Sequence, residues 1–174
     1  RDFKKLGAPR LFFGISAGSM DSMVNHYTAT KRLRSDDAYT PGGLAGQRPD
    51  YACVVYANIV RQLYPNTPII LGGIEASLRR FAHYDYWSDR VKQSILLESK
   101  ADLLVYGMGE QAITDIAIQL DNGIRVQQIR SVKQTAYIVS SKIELPANCI
   151  ELHSYEVCST NKKAYAENFK IIEE

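Results

Sequence analysis

Three short apolar runs, at 11–16, 68–71 and 102–106, end in small residues and alternate with segments of helical periodicity. That alternation predicts strands feeding sheet-covering helices, an α/β architecture. In segment 51–64, Cys53, Tyr56, Ala57, Val60 and Leu63 share one helical face, and Pro65 ends it. Ile113, Ile116, Ala117 and Leu120 repeat the pattern after the third run, and Asn122 with Gly123 closes it. Pro68 stands at the entrance of the second run, where a missing backbone N–H is tolerated.

The remaining segments carry weaker patterns. AGSMDSM, after the first run, has the small and polar residues of a turn. Residues 25–50 form an irregular charged stretch far longer than an ordinary connection, which predicts a structured functional loop or a covering flap. A short helix is expected over 76–80 and another over 91–99. The aromatic and charged segment between them, FAHYDYWSDRV, reads as a surface lid or a packed crossover. Strands are expected at 124–129 and 137–139. Segment 149–156 is weakly patterned, and Tyr165, Phe169 and Ile172 mark a terminal helix over 161–172. The fold expected is a three-layer α/β domain with a mostly parallel sheet, Rossmann-like or cobalamin-binding-like and incomplete, spanning 1–145. Residues 146–174 form a C-terminal extension.

Composition narrows the functional classes. The chain's 174 residues allow one sizeable core, so a second complete domain is not expected. Lys plus Arg at 21 nearly balances Asp plus Glu at 19, and the net charge of +2 gives no global argument for nucleic acid or an anionic membrane. No run of about twenty apolar residues, the length a bilayer requires, is present. Three cysteines make no disulfide framework, which favours a reducing, cytoplasmic compartment. Residue 1 is Arg and no targeting segment opens the chain, as expected of a piece of a longer protein.

Candidate chemistry gathers where the runs end. Ser16 and Gly18 follow the first, Gly72, Gly73 and Glu75 the second, and Gly107, Gly109 and Glu110 the third. Glycines at strand exits let a ligand approach the backbone, and they equally serve as tight turns. The full G-x-G-x-x-G fingerprint is absent at Gly72, and Glu110 suits a helix-capping role as well as ligand contact. His83 and Asp85 share a face on a strand and diverge on a helix, and a hydrogen-bonded network is the expected reading over a catalytic pair. Arg79 and Arg80 suit either phosphate or solvent. Ser19, Asp21 and His26 lack the G-x-S-x-G setting of a hydrolase nucleophile. Lys31, Arg32, Arg34 and Arg48 in the long loop are interrupted by Asp36, Asp37 and Asp50. Cys53, Cys149 and Cys158 are too widely spaced for a local metal knuckle or cluster loop. No catalytic or metal residue is assigned.

The segments GISAGSMDSMVNHYTATKRLRSDDAYTPGG, ILGGIEASLRRFAHYDYWSD and ADLLVYGMGEQAI closely resemble the amino-terminal region of the YgiQ-type radical SAM proteins. The resemblance covers nearly the whole chain and implies a companion domain that precedes a radical SAM barrel. In that family a later C-x3-C-x2-C motif would hold a 4Fe-4S cluster and S-adenosylmethionine, and no such triplet occurs here. The implied partner is therefore the barrel of the same full-length chain, with a small-molecule substrate of unknown identity. The two glycine turns also look like those of cobalamin-binding domains, whose D-x-H-x-x-G motif is missing. Cobalamin bound without a protein ligand to its metal, a nucleotide-binding module, and a structural protein-interaction domain remain as alternatives.

Overall fold

The computed structural model describes residues 2–140 and 147–173. A four-stranded sheet in the order β1-β2-β5-β6 forms the centre, from β1 (Phe13–Ile15), β2 (Ile69–Leu71), β5 (Leu103–Val105) and β6 (Thr135–Ala136). The first three strands are parallel, with Ile15 opposite Leu71 and Leu71 opposite Leu104, whereas β6 runs antiparallel to β5. The strands 69–71 and 103–105 are thus neighbours in one layer, as the alternating pattern predicts. Both are buried along their whole length because helices cover both faces.

The period of two sorts the core. Ile69, Leu71 and Leu104 face α2 (Ala52–Leu63) and α4 (Ile95–Ser99), packing with Ala52, Ala57, Val60, Ile95 and Leu96. Ile70, Leu103 and Val105 face the other way, against Ala112 and Ile116 of α5 (Glu110–Asp121) together with Val126, Ile129 and Val132. Each fully buried Ile or Leu contributes about 1.5–3 kcal/mol by leaving water. The result is the three-layer, mostly parallel α/β arrangement expected, Rossmann-like in kind.

Several elements differ from expectation. Residues 124–129 form no strand: Val126–Gln128 is a short 3-10 helix whose Val126 packs on α5, and the free edge of β5 is taken by β6. The strand expected at 137–139 lies at Thr135–Ala136. Residues 91 and 92, the start of the helix expected over 91–99, instead belong to β4 (Arg90–Lys92), an antiparallel hairpin with β3 (His83–Asp85), so α4 begins only at Ile95. Its N-cap Ser94 accepts the Leu96 N–H. Helix α3 (Gly73–Leu78) starts earlier than the expected 76–80, directly at the β2 exit.

Within the expected turn, Asp21 caps α1 (Ser22–His26) by accepting the Met23 and Val24 N–H groups. The weak pattern at 149–156 hides the start of α6 (Tyr155–Thr160), which precedes the terminal helix α7 (Lys162–Glu173). The boundary expected at 145/146 falls outside the described residues.

Candidate functional site

The strand exits converge. Ser16, Gly72, Gly73, Gly107 and Gly109 line one cavity of about 220 Å³ at the carboxyl ends of β1, β2 and β5, walled by Ile15, Ile70, Leu71, Val105 and Ile113. The chain leaves β2 toward one face of the sheet and leaves β5 toward the other, which opens a crevice between adjacent strands. Gly18, Glu75 and Glu110, the other expected site residues, lie outside this lining.

Most of its glycines answer to the protein's own atoms. Gly73 has φ +78°, and a Cβ there would meet Ser16 Oγ at 2.6 Å. A Cβ at Gly109 would meet Val105 Cγ1 at the same distance, 2.6 Å, and outside the lining one at Gly18 (φ +101°) would meet the Tyr39 ring at 2.9 Å. Gly107 has φ +68° and donates its N–H to Ser77 Oγ at 3.2 Å. Gly72 is different. Its φ of −154° is extended backbone, and the nearest atom to an added Cβ is Val105 O at 3.9 Å. No internal contact demands glycine there, and the position opens onto the crevice.

Glu75 is buried behind the crevice rather than in it. Its Oε2 accepts the Ser22 N–H at 2.8 Å and its Oε1 the Cys53 N–H at 2.9 Å. One carboxylate therefore meets the first turns of both α1 and α2, where unpaired backbone donors and the helix field favour a negative charge. Helix α2 has no side-chain cap of its own, since Tyr51 sits in the left-handed region at φ 51°. Ser22 Oγ supplies a second distant acceptor, for the Ala52 N–H. Glu110 is exposed in the first turn of α5.

The long loop is held by a buried polar network. Asp37 Oδ1 accepts from Asn25 Nδ2 at 2.7 Å and from the Tyr39 N–H at 2.9 Å, and its Oδ2 accepts from Arg48 Nε at 2.8 Å. Burial alone would raise the Asp37 pKa, but these bonds from Arg48, the Tyr39 N–H and Asn25 hold it at about 2. Arg48 also reaches Ala17 O at 2.9 Å, tying the loop to the β1 exit. His26 stands between Asp37 and Asp50, its Nδ1 3.0 Å from Asp50 Oδ1. Asp85 accepts from Tyr51 and Ser88, and Arg79 pairs with Asp21. The sequence names these residue types but not their pairings.

The three cysteines stand apart in the structure. Cys53 lies in the core between α2 and the sheet, and burial, followed by the Glu75 carboxylate, pushes its thiol far up. Cys158 is buried in α6, and Cys149 is exposed. Among the described residues, no three His, Cys, Asp or Glu side chains form a metal-holding group. His83 Nδ1 lies 3.2 Å from Phe81 O, and burial lowers its pKa to about 4. Neither His26 nor His83 lines the crevice. No ionisable side chain lines it either, so the site suits backbone hydrogen bonding and apolar contact rather than proton transfer.

The family described as Radical SAM N-terminal matches residues 1–174. The chain belongs to the Radical SAM N-terminal family. It is 53% identical over 186 residues to a UPF0313 protein of Bacteroides thetaiotaomicron, covering 100% of this chain and 30% of that protein. A UPF0313 protein of Thermotoga maritima is 52% identical over 171 residues, covering 98% of the chain and 30% of the relative. One from Clostridium botulinum strain Okra is 53% identical over 170 residues, covering 98% and 26%. This Radical SAM N-terminal domain thus spans about 26–30% of the length of these curated relatives. No solved structure matches it. Among the described residues no helix is long and apolar enough to cross a membrane.

Proposed function

We propose that this chain is the noncatalytic companion domain of a radical SAM enzyme, shaping or covering the reaction cavity while a barrel in the same full-length protein holds the cluster. The observation that carries this reading is the mismatch between the family match over 1–174 and cysteines that do not fit an iron–sulfur centre. Residues 1–145 would form the companion body and 146–174 the extension toward the barrel.

In that role the crevice would receive substrate or an element of the barrel. Its glycine-lined floor allows close backbone approach, and its lack of ionisable groups leaves proton and electron transfer to the other domain. Radical chemistry requires exclusion of water and of stray reactants, which a covering domain supplies through shape alone. The bound cluster and S-adenosylmethionine would supply the radical. Here Asp37 and Arg48 hold the loop against Ala17, Glu75 fixes two helix starts, and Gly72 leaves space.

Gly72→Val in the full-length protein tests this. The substitution adds bulk to the crevice at a position where the nearest atom to an added Cβ, Val105 O, lies 3.9 Å away. Cluster content should stay at the parent's value, while S-adenosylmethionine cleavage without substrate rises several-fold through poorer closure. Unchanged cleavage in a correctly folded, cluster-loaded variant contradicts a covering role for the crevice. The cobalamin-binding reading rests on the same crevice, and an optical titration with saturable stoichiometric binding would favour it over an empty companion.

A further inference from the structure

The largest of the described cavities lies away from the crevice, between the β3–β4 hairpin and the helices α6 and α7. It measures about 650 Å³, within the range of small-molecule sites. Tyr84 and Arg90 line it from the hairpin, and Tyr155, Lys162 and Tyr165 from the helices. The two sides are fastened together where the Tyr84 N–H donates to the Tyr165 hydroxyl at 2.9 Å. That hydroxyl, acting as acceptor toward the backbone, keeps its own proton available to a ligand.

The charges in this cavity are unevenly satisfied. Asp89 already accepts from the Tyr84 hydroxyl at 2.6 Å. Arg90 and Lys162 have no carboxylate partner among the described residues, whereas neighbouring cations do: Lys92 faces Asp85, and Lys163 faces Glu167. Two exposed cations, without a carboxylate partner among the described residues, therefore flank tyrosine rings in one concavity. At its floor, Cys158 is buried, accepts from Asn168 Nδ2, and has its thiol pKa raised by burial, so it is a neutral wall rather than a nucleophile.

We propose that this cavity binds a planar aromatic ring carrying a phosphate, the chemistry of a nucleoside monophosphate. The tyrosine rings supply faces on which a base stacks, and Arg90 with Lys162 supplies the countercharge for phosphate. A bare anion would leave the rings unused, and an uncharged ring would leave both cations unpaired. The same chemistry arrives either as a free nucleotide or as the end of a nucleic acid strand. This site is independent of the crevice and stands whether or not the covering role holds.

Calorimetric titration of the protein with adenosine 5′-monophosphate, adenosine, inorganic phosphate and a short oligoadenylate tests the assignment. The monophosphate should bind saturably at one per chain, with adenosine and phosphate each at least about 10-fold weaker, as expected when stacking and charge both contribute. Arg90→Gln and Lys162→Gln, both at exposed positions, should each weaken the monophosphate about 10-fold without lowering Tm. Tyr155→Ala should do the same through lost stacking. An oligoadenylate that binds more tightly than the monophosphate identifies a strand end as the source, and one that binds more weakly identifies the free nucleotide. Phosphate or adenosine binding as tightly as the monophosphate overturns the proposal. So does failure of the monophosphate to saturate, or indifference to both charge substitutions.

Discussion

Two adjacent glycines separate structural demand from open space. Gly73 is left-handed at φ +78° and pressed against Ser16, while Gly72 is extended with room beside it. Gly73→Ala should therefore cost about 2 kcal/mol or more, from the left-handed penalty and the displaced Ser16 hydroxyl. Gly72→Ala should stay within about 0.5 kcal/mol. Urea denaturation of both variants checks the contrast, and equal losses would show that the two positions are not distinct. Glu75→Gln should lower stability by about 2 kcal/mol, because one carboxylate oxygen that accepts from Ser22 or Cys53 becomes an amide donor. A loss below about 0.5 kcal/mol would remove the carboxylate from its place at the two helix starts. The sequence put Glu75 beside a helix start but could not reveal its partners, which lie 53 and 22 residues away in the chain.

At the scale of elements, legibility followed the hydrophobic signal. The strands β2 and β5 and the helices α2 and α5 were readable because continuous apolar runs and clean three-four spacing leave one way to bury them. The hairpin was not, because its two three-residue strands carry tyrosine, histidine, aspartate and arginine rather than an apolar run. What holds it is a set of polar contacts that only the fold assembles. Tyr51 and Ser88 bond Asp85, and α7 reaches the hairpin through Tyr165. Tyr165→Phe should speed amide hydrogen exchange at Tyr84 while leaving core amides of β2 unchanged, and protection at Tyr84 equal to the parent's would contradict this docking.

His83 and Asp37 both contribute to the acid limb of stability. Burial lowers the His83 pKa from 6.5 to about 4, so its contribution is fully present above about pH 6.5 and is lost as pH falls toward 4. The Asp37 pKa, lowered from 3.8 to about 2, adds a contribution present above about pH 4 that disappears between there and pH 2. Stability should accordingly decline in two stages on acidification. His83→Phe should flatten the first and Asp37→Asn the second in denaturant titrations across pH. A parent whose stability is constant from pH 7 to 4 would contradict the burial of a neutral His83.

For the whole molecule, the sequence's alternating pattern specified a parallel sheet with glycine exits, and the structure joins those exits into one crevice. It joins them as backbone and apolar wall, with the charged residues drawn into separate networks that fasten the loop and helix starts. That division of roles fits a domain that shapes a cavity for chemistry performed elsewhere. The relatives, of which this chain spans 26–30%, carry far more polypeptide than the match itself. Anaerobic reconstitution of this chain alone with iron and sulfide, followed by iron quantification and assay of S-adenosylmethionine cleavage, tests the central claim most directly. The account predicts no stoichiometric cluster and no cleavage. A stably bound cluster that supports cleavage by this chain would contradict it.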